Sequence, residues 1–498
     1  MPPAYLIGKM KRYRILLPFA LVLCLGACSK PPVGGDDTLE TWHYANVFAR
    51  NAMNLYYLWQ KEIESGLKAW KDTEDPIAKV KAIRYKDASG KDIDRWTMMT
   101  DDYQSFYSSV AGNGKTLGLD FSLYYYDAEQ TSLVAVVTYT YKDSPARAAG
   151  LKRGDAIVKV NGAAIPYPGY ETAYYALTGG DPLTVELVGG KTVKLEPRDM
   201  YEDPVHLTRV FDCGSGKAAY LHFTSFTLDA CEDLVAVCKD FKAQGVSTLI
   251  LDLRYNSGGF AVTEEVFASM LAPEAEVKAG SVLSTEVFNE KLTAYYAENK
   301  YDTNTYFRTT FQFSDGTKDY DLSTAGANLG IDHIYAIVSS GSASASEALL
   351  CDLFPYMDIT LVGTQTHGKY CSGRIMKAGD FFDNYADQLG QEVADKGKEQ
   401  AGDWGLYVMY SRFADKNGQT RCMPDGLSPD HKVSDDPLDG FELGDPKETM
   451  LSKALSLCGY KDKEPTARPA GRRLPALEQA PVDARELRPE FGRRIILP

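Results

Sequence analysis

Residues 341–347 read Gly-Ser-Ala-Ser-Ala-Ser-Glu, and Lys369 lies twenty-five positions after the middle serine, Ser344, within Thr366-His367-Gly368-Lys369. A serine hydroxyl is a weak nucleophile until a base takes its proton, and a lysine serves as that base only as the neutral amine. Bringing an ammonium from about 10.4 to a working value of about 7 requires roughly 4.6 kcal/mol, which desolvation in an apolar pocket supplies. Lys369 follows the apolar strand Ile359 to Val362, where burial is expected. A single lysine is ordinarily a solvated surface charge, so the surrounding residues decide its reading. Ala343 and Ala345 let backbone approach a substrate closely, and Ser344 opens a helix whose first N–H groups point outward. An oxyanion hole needs two such donors. The N–H of Ala345 is one, and the glycines of Asn256-Ser257-Gly258-Gly259 offer the other through Gly258 or Gly259. Small-residue helix starts and Gly-Gly strand ends are common packing devices taken singly; in this order they point to acyl transfer.

The bulk composition limits what else the chain can be. Its 498 residues, 44% hydrophobic with 42 Gly, suffice for two or three domains with real cores. Lys and Arg total 54 against 68 Asp and Glu, and the net charge of −14 argues against nucleic acid or an anionic membrane surface as the main partner. With six His and no ligand cluster, neither a metal nor an organic cofactor is implied.

The first residues read as a targeting segment. Lys9, Lys11, Arg12 and Arg14 precede an apolar run from Ile15 to Leu25, too short to span a bilayer as a helix, and Leu25-Gly26-Ala27-Cys28 closes it. Met10, directly before the basic cluster, is a candidate start. The small residues before Cys28 resemble the lipobox of bacterial lipoproteins, which implies lipidation of Cys28, a membrane anchor and an exported, periplasmic or surface-facing body. An ordinary secretory signal with a chance cysteine is the alternative. Without Cys24 and Cys28 seven cysteines remain, an odd set lacking C-x-x-C spacing, so disulfides are permitted but not dictated. Cys371, two residues after Lys369, is close enough to be considered as a nucleophile, although buried structural thiols are far commoner.

The segments that position the candidate site follow in order. Residues 29–39 are a Pro/Gly-rich tether. Residues 40–112 form a helical region in which Phe48, Ala52, Leu55 and Trp59 recur at helical spacing after Trp42. Its Ser65-Gly66-Leu67-Lys68 matches S-x-x-K by chance, lacking the partner motifs. From 113 to 200 short β-branched and aromatic runs alternate with turns. There Gly118-Leu119-Asp120-Phe121, and Ser144 to Asp155 followed by Ile157 to Gly162, resemble a PDZ domain. The first stretch is expected to be its carboxylate-binding loop, beside a sheet edge to which a peptide adds a strand. Residues 201–460 alternate strands and helices, an α/β core. In it Asp229 and Glu232 are read as the N-terminal cap of a helix, and the Tyr-rich stretch 285–330 as an insertion or lid. The tail 461–498, rich in Pro, Arg and Glu, has no reliable period and is expected to be extended or partly disordered.

Leu251-Asp252-Leu253-Arg254-Tyr255-Asn256-Ser257-Gly258-Gly259, then Ser342 to Glu347, Gly363 to Lys369, and Pro424-Asp425-Gly426-Leu427-Ser428-Pro429-Asp430, resemble the S41 peptidases, the C-terminal processing proteases. The resemblance covers roughly 115–460. It implies a crotonase/ClpP-like α/β core with a PDZ-like β-rich domain, and a serine endopeptidase acting on protein or peptide substrates. Ser344 would be the nucleophile, Lys369 the general base, and Ala345 with Gly258 or Gly259 the oxyanion donors. One departure stands out: where family members often carry a glutamine four residues after the lysine, this chain has Gly373. His367, Ser372 or Glu347 is expected to orient the amine in its place. The alternative reading is a peptide-binding lipoprotein that keeps the fold with weak or no turnover.

Overall fold

A strand covered on both faces has no solvent side, so it is written as an unbroken apolar run. The second halves of strands Val246–Asp252, His333–Val338 and Asp358–Gly363 behave this way, and Leu249, Ile250, Leu251, Ala336 and Ile337 have no exposed surface. The computed structural model describes residues 37–214, 216–461, 477–480, 484–488 and 492–497. The stretch read as a targeting segment, with Cys28, and the stretch read as a tether as far as residue 36 lie outside them. The chain divides into two compact units: residues up to Gln104 with Phe288–Asp302 and Arg374–Tyr410, and Ser105–Val287 with Thr303–Gly373 and Ser411–Pro498.

In the second unit, the three central strands join Val205–Cys213, Gly216–Phe223 and His431–Lys432 in a six-stranded sheet. The pair at the first edge is antiparallel and every other neighbour parallel. Helix Thr449–Leu457 covers one face, packing Met450, Leu451, Ala454 and Leu455 on Tyr220, Ile250, Ile337 and Val362. Each such large side chain contributes roughly 1.5–3 kcal/mol on full burial. Parallel strands end on the same side, so the loops after Asp252, Val338 and Gly363 meet at one rim. Those loops carry Gly258, Ser344 and Lys369.

The same unit contains a six-stranded antiparallel sheet in the order Leu119–Tyr125, Ser132–Thr140, Ala163–Pro166, Ala156–Val160, Leu183–Leu187, Thr192–Leu195. Helix Glu171–Thr178 packs Tyr174 and Leu177 onto it, with Phe121 and Tyr174 rings 5.5 Å apart. Leu119–Tyr125 is an edge strand, and an edge offers unpaired backbone groups. This β-rich region is tied to the core by buried charge. Arg153 donates to Thr138 O, to Tyr255 Oη at 2.9 Å and to Asp435 at 2.8 Å, while Arg254 donates to Asp252, Asp435 and Glu448. Burial alone would lift the Asp435 carboxyl, but Arg153 and Arg254 outweigh it and hold it well below the usual range.

The structure adds local detail to the expected elements. In the first unit the opening helix, Asp37–Tyr56, buries Phe48, Ala52 and Leu55 but ends before Trp59, which stacks on Tyr85 instead. Asp229 occupies the N-cap position of helix Ala230–Ala243 as expected, but its side chain makes no capping bond, because Lys318 at 2.7 Å and Tyr320 at 3.0 Å donate to its carboxylate. Those two residues belong to the hairpin Thr310–Ser314/Asp319–Ser323, so the stretch read as an insertion or lid has regular structure, with strand Val282–Phe288 and helix Glu290–Glu298 before the hairpin. The tail is likewise ordered where described: Arg493–Ile495 is a strand paired in parallel with Gly258–Phe260. None of the seven cysteines among the described residues forms a disulfide.

Candidate active site

Ser344 stands between strand His333–Val338 and helix Ala345–Leu353 with φ 61° and ψ −109°, a conformation non-glycine residues rarely adopt. Strain of about 1–3 kcal/mol persists only where neighbours enforce it. Here the flanking serines do so. Ser342 Oγ donates to Leu253 O at 2.7 Å, Ser346 Oγ to Asn256 O at 2.9 Å, and the Ala343 N–H to Asn256 O at 3.1 Å. The turn is thus bolted to the loop after the buried strand Val246–Asp252, and Ser344 Oγ is held at the rim.

Lys369 is fully buried and its Nζ donates to Ser344 Oγ at 3.2 Å. The same nitrogen donates to the carbonyl of Cys371, so a backbone oxygen two residues on orients the amine. Glu347 fixes the two loops against each other. Its carboxylate accepts the N–H groups of Ser344 at 3.0 Å, Lys369 at 2.8 Å and Gly368 at 2.7 Å, and the Thr366 hydroxyl at 2.6 Å. Burial pushes its carboxyl upward against those four bonds, which favour the charged form. Behind it, the Leu427 N–H donates to Thr366 Oγ1 at 2.6 Å, which explains why Pro424 to Leu427 accompanies the lysine loop.

At the glycine turn, Gly258 has φ 113°, and a Cβ there would meet Arg493 O at 2.2 Å, Ser344 Cβ at 3.0 Å and Ala343 O at 3.1 Å, so only glycine fits. Its N–H, however, donates to Asn256 Oδ1 at 2.9 Å. The Ala345 N–H opens its helix and has no acceptor among the described residues. Hydroxyl, amine and backbone donors at this spacing are the parts of a general-base acyl-transfer site.

Residues 217–433 match the family model described as peptidase family S41. Carboxyl-terminal-processing peptidase 3, chloroplastic, of Arabidopsis thaliana is 27% identical over 303 residues, 57% of this chain and 50% of that protein. A carboxy-terminal-processing protease of Bartonella bacilliformis is 25% identical over 282 residues, 55% of this chain and 56% of its own. The chain thus spans about half the length of the curated relatives it matches. A solved structure assigned to the S41 proteases, from Bacteroides fragilis, aligns with a TM-score of 0.59 at 21% identity, over 86% of this chain and 98% of its own, and supports the shared fold.

Of the residues expected at the S41 site, Ser344, Lys369, Ala345, Gly258 and Gly259 come together, and three expectations change. Gly258 spends its N–H on Asn256, and Gly259 lies in the short strand paired with Arg493–Ile495. Glu347 holds the backbone of Lys369, not its amine. Ser372 faces Glu286 and Arg494, and His367 Nδ1 lies 3.8 Å from Glu486 in the tail. The orienting Cys371 carbonyl gave no sequence signal, because every residue has one. Asn256 was legible only as part of a loop motif, yet it joins nucleophile turn and glycine turn.

Gly118, Leu119, Asp120 and Phe121 do lie at the head of a sheet edge, but not as a carboxylate cradle. The Gly118 N–H donates to Thr116 Oγ1 at 2.9 Å, and Asp120 itself presents a buried carboxylate. Arg485 at 2.9 Å, Arg488 at 3.0 Å and Thr138 at 2.6 Å donate to it. Burial would raise the Asp120 carboxyl; the two arginines and the Thr138 bond hold it below the usual value. Along the edge, the Tyr125 N–H donates to Glu478 O at 2.9 Å and the Ala480 N–H to Leu123 O at 3.0 Å, with Tyr124 antiparallel to Gln479.

Proposed function

We propose that the protein is a serine endopeptidase of the C-terminal-processing type, hydrolysing peptide bonds of protein or peptide substrates through Ser344 and Lys369. The observation that carries this reading is the 3.2 Å separation of Lys369 Nζ and Ser344 Oγ with both side chains fully buried. As the neutral amine, Lys369 accepts the Ser344 proton while one of its N–H groups stays on the Cys371 carbonyl, which aims the lone pair at the hydroxyl. Oγ attacks the substrate carbonyl, and the oxyanion faces the amides of Ala345 and Gly259. The ammonium then returns the proton to the leaving amine, and water resolves the acyl-enzyme by the same steps in reverse roles. Labelling by a fluorophosphonate probe tests this: the full chain reacts, Ser344→Ala does not, and Lys369→Ala reacts about 10³-fold more slowly or worse. Equal labelling of all three proteins overturns it.

The β-rich region is read as a PDZ-like peptide-capture domain, with Leu119–Tyr125 as the edge that receives a strand. The Asp120 carboxylate at its head favours a basic side chain over a terminal carboxylate. Peptides with free and amidated C-termini should bind alike, whereas replacing their arginines by glutamine weakens binding; a strong loss on amidation alone would restore carboxylate capture. From the sequence we also propose export and anchoring through a lipid on Cys28. Cys28→Ala should move the protein from the membrane fraction to the soluble one, and an unchanged distribution would remove the anchor.

A further inference from the structure

Three carboxylates converge beside the candidate site from the elements that build it. Glu264 lies on helix Ala261–Leu271 directly after the glycine turn, Asp352 on the helix that Ser344 opens, and Glu286 on strand Val282–Phe288. Glu264 and Asp352 have no exposed surface, and neither Asp352 oxygen, nor Oε1 of Glu264, has a hydrogen-bond partner among the described residues. Buried carboxylates without a cation are strongly disfavoured. The cation here is Arg494, which donates to Glu264 at 3.0 Å, to Ser372 Oγ at 2.6 Å and to Glu286. Burial pushes Glu264 up to about 7 and Asp352 well above its ordinary value, as in a pocket with more acid than its occupant neutralises.

The occupant arrives as a peptide would. Arg493, Arg494 and Ile495 pair in parallel with Gly258, Gly259 and Phe260, and the Ile496 N–H donates to Gly373 O at 3.0 Å. The Arg493 carbonyl and Ser344 Cβ both lie within 3.0 Å of the point a Gly258 Cβ would occupy, so this backbone runs past the nucleophile. Arg494 is the next residue beyond that carbonyl. Farther back, residues 478–480 add to the edge strand Leu119–Tyr125 in the manner of a captured ligand.

We propose that Glu264, Glu286 and Asp352 form a subsite for an arginine side chain of an extended peptide lying along Gly258–Phe260, and that Arg494 fills it in cis as a displaceable competitor. The subsite selects for arginine just beyond the carbonyl nearest Ser344, and a planar guanidinium reaches two separated carboxylates where an ammonium reaches one. The inference rests on the proposed peptidase reading and deepens it by naming the side chain the cleft accepts.

The test uses full chains carrying Ser344→Ala, so it reads binding without turnover. A fluorescent peptide with the sequence of residues 484–497, and the same peptide with glutamine at the position of Arg494, are titrated by anisotropy. The proteins retain Arg494 or carry Arg494→Ala. The Arg494→Ala chain should bind the arginyl peptide at least tenfold more tightly than the chain that retains Arg494, and tenfold more tightly than it binds the glutaminyl peptide. Equal affinity for the two peptides overturns the proposal. Should Arg494→Ala not fold, Arg494→Lys takes its place in the same comparison; if that chain also fails to fold, Arg494 is a fixed tie of the core and the proposal falls. Because no reaction is read, a failure of serine labelling and a failure of arginine selection are separate results.

Discussion

Two strand edges in the second unit receive stretches of one segment, and they do so differently. At Leu119–Tyr125 the partner is antiparallel, and its arginines meet the single carboxylate Asp120, with the Arg488 side chain still 22% exposed. At Gly258–Phe260 the partner is parallel, and Arg494, 1% exposed, is enclosed by buried acids. The partly exposed Arg488 is the more readily exchanged of the two arginines on Asp120, whereas a fully desolvated arginine discriminates sharply because a wrong side chain leaves carboxylates unpaired. On the proposed reading the first edge collects and the second chooses.

Cutting the tie between the two edges has the largest expected effect. Arg153→Ala leaves Asp435 and Glu448 with one fewer buried partner and should destabilise the protein by about 3–5 kcal/mol, read as a drop in the urea midpoint. Glu347→Ala should strike the cleft alone. Loosening the Ser344 and Lys369 loops lowers peptide hydrolysis by about 10²-fold, while peptide affinity at the first edge stays unchanged. The combined Arg485→Ala and Arg488→Ala change should strike the first edge alone, lowering hydrogen-exchange protection of the Tyr125 and Ala480 amides by an amount equivalent to roughly 1–3 kcal/mol. If protection also fell at Phe260, the edges would act as one.

A pH dependence gives the smallest effect. His206, bonded to Thr140 O and His222, is pushed down to about 4 chiefly by burial, and His222 is likewise held well below its ordinary value by burial and by His206. Histidines held neutral in the fold titrate higher when unfolded, so their contribution is complete above about 6.5 and is lost as pH falls through about 4. Denaturation midpoints at pH 7.5 and 4.5 should therefore differ by less in His206→Gln than in the unaltered chain.

What the sequence disclosed depended on the kind of signal each feature leaves. Ser344, Lys369 and the Gly258–Gly259 turn were legible because reactive side chains and glycines stand out between apolar strands. Glu347 was found but given the wrong partner, since a carboxylate near a lysine suggests an ion pair and not a grip on backbone N–H groups. Asp229 was placed at its helix start but not given its carboxylate's partners, because a helix cap is a local pattern, while Lys318 and Tyr320 come from a distant hairpin. The tail was the largest omission. Arg485 meets Asp120 across 365 residues, and a strand recognised by backbone pairing and two or three arginines has no period to detect.

The backbone at Ser344 narrows which alcohol could ever work there. Threonine would bring the same oxygen, but its branched β-carbon tolerates a positive φ poorly, and the flanking Ala343, Ala345 and Gly258 leave little room for a methyl group. Chemically equivalent hydroxyls are thus sterically unequal at this turn, and the strained conformation restricts replacement as firmly as the reaction itself.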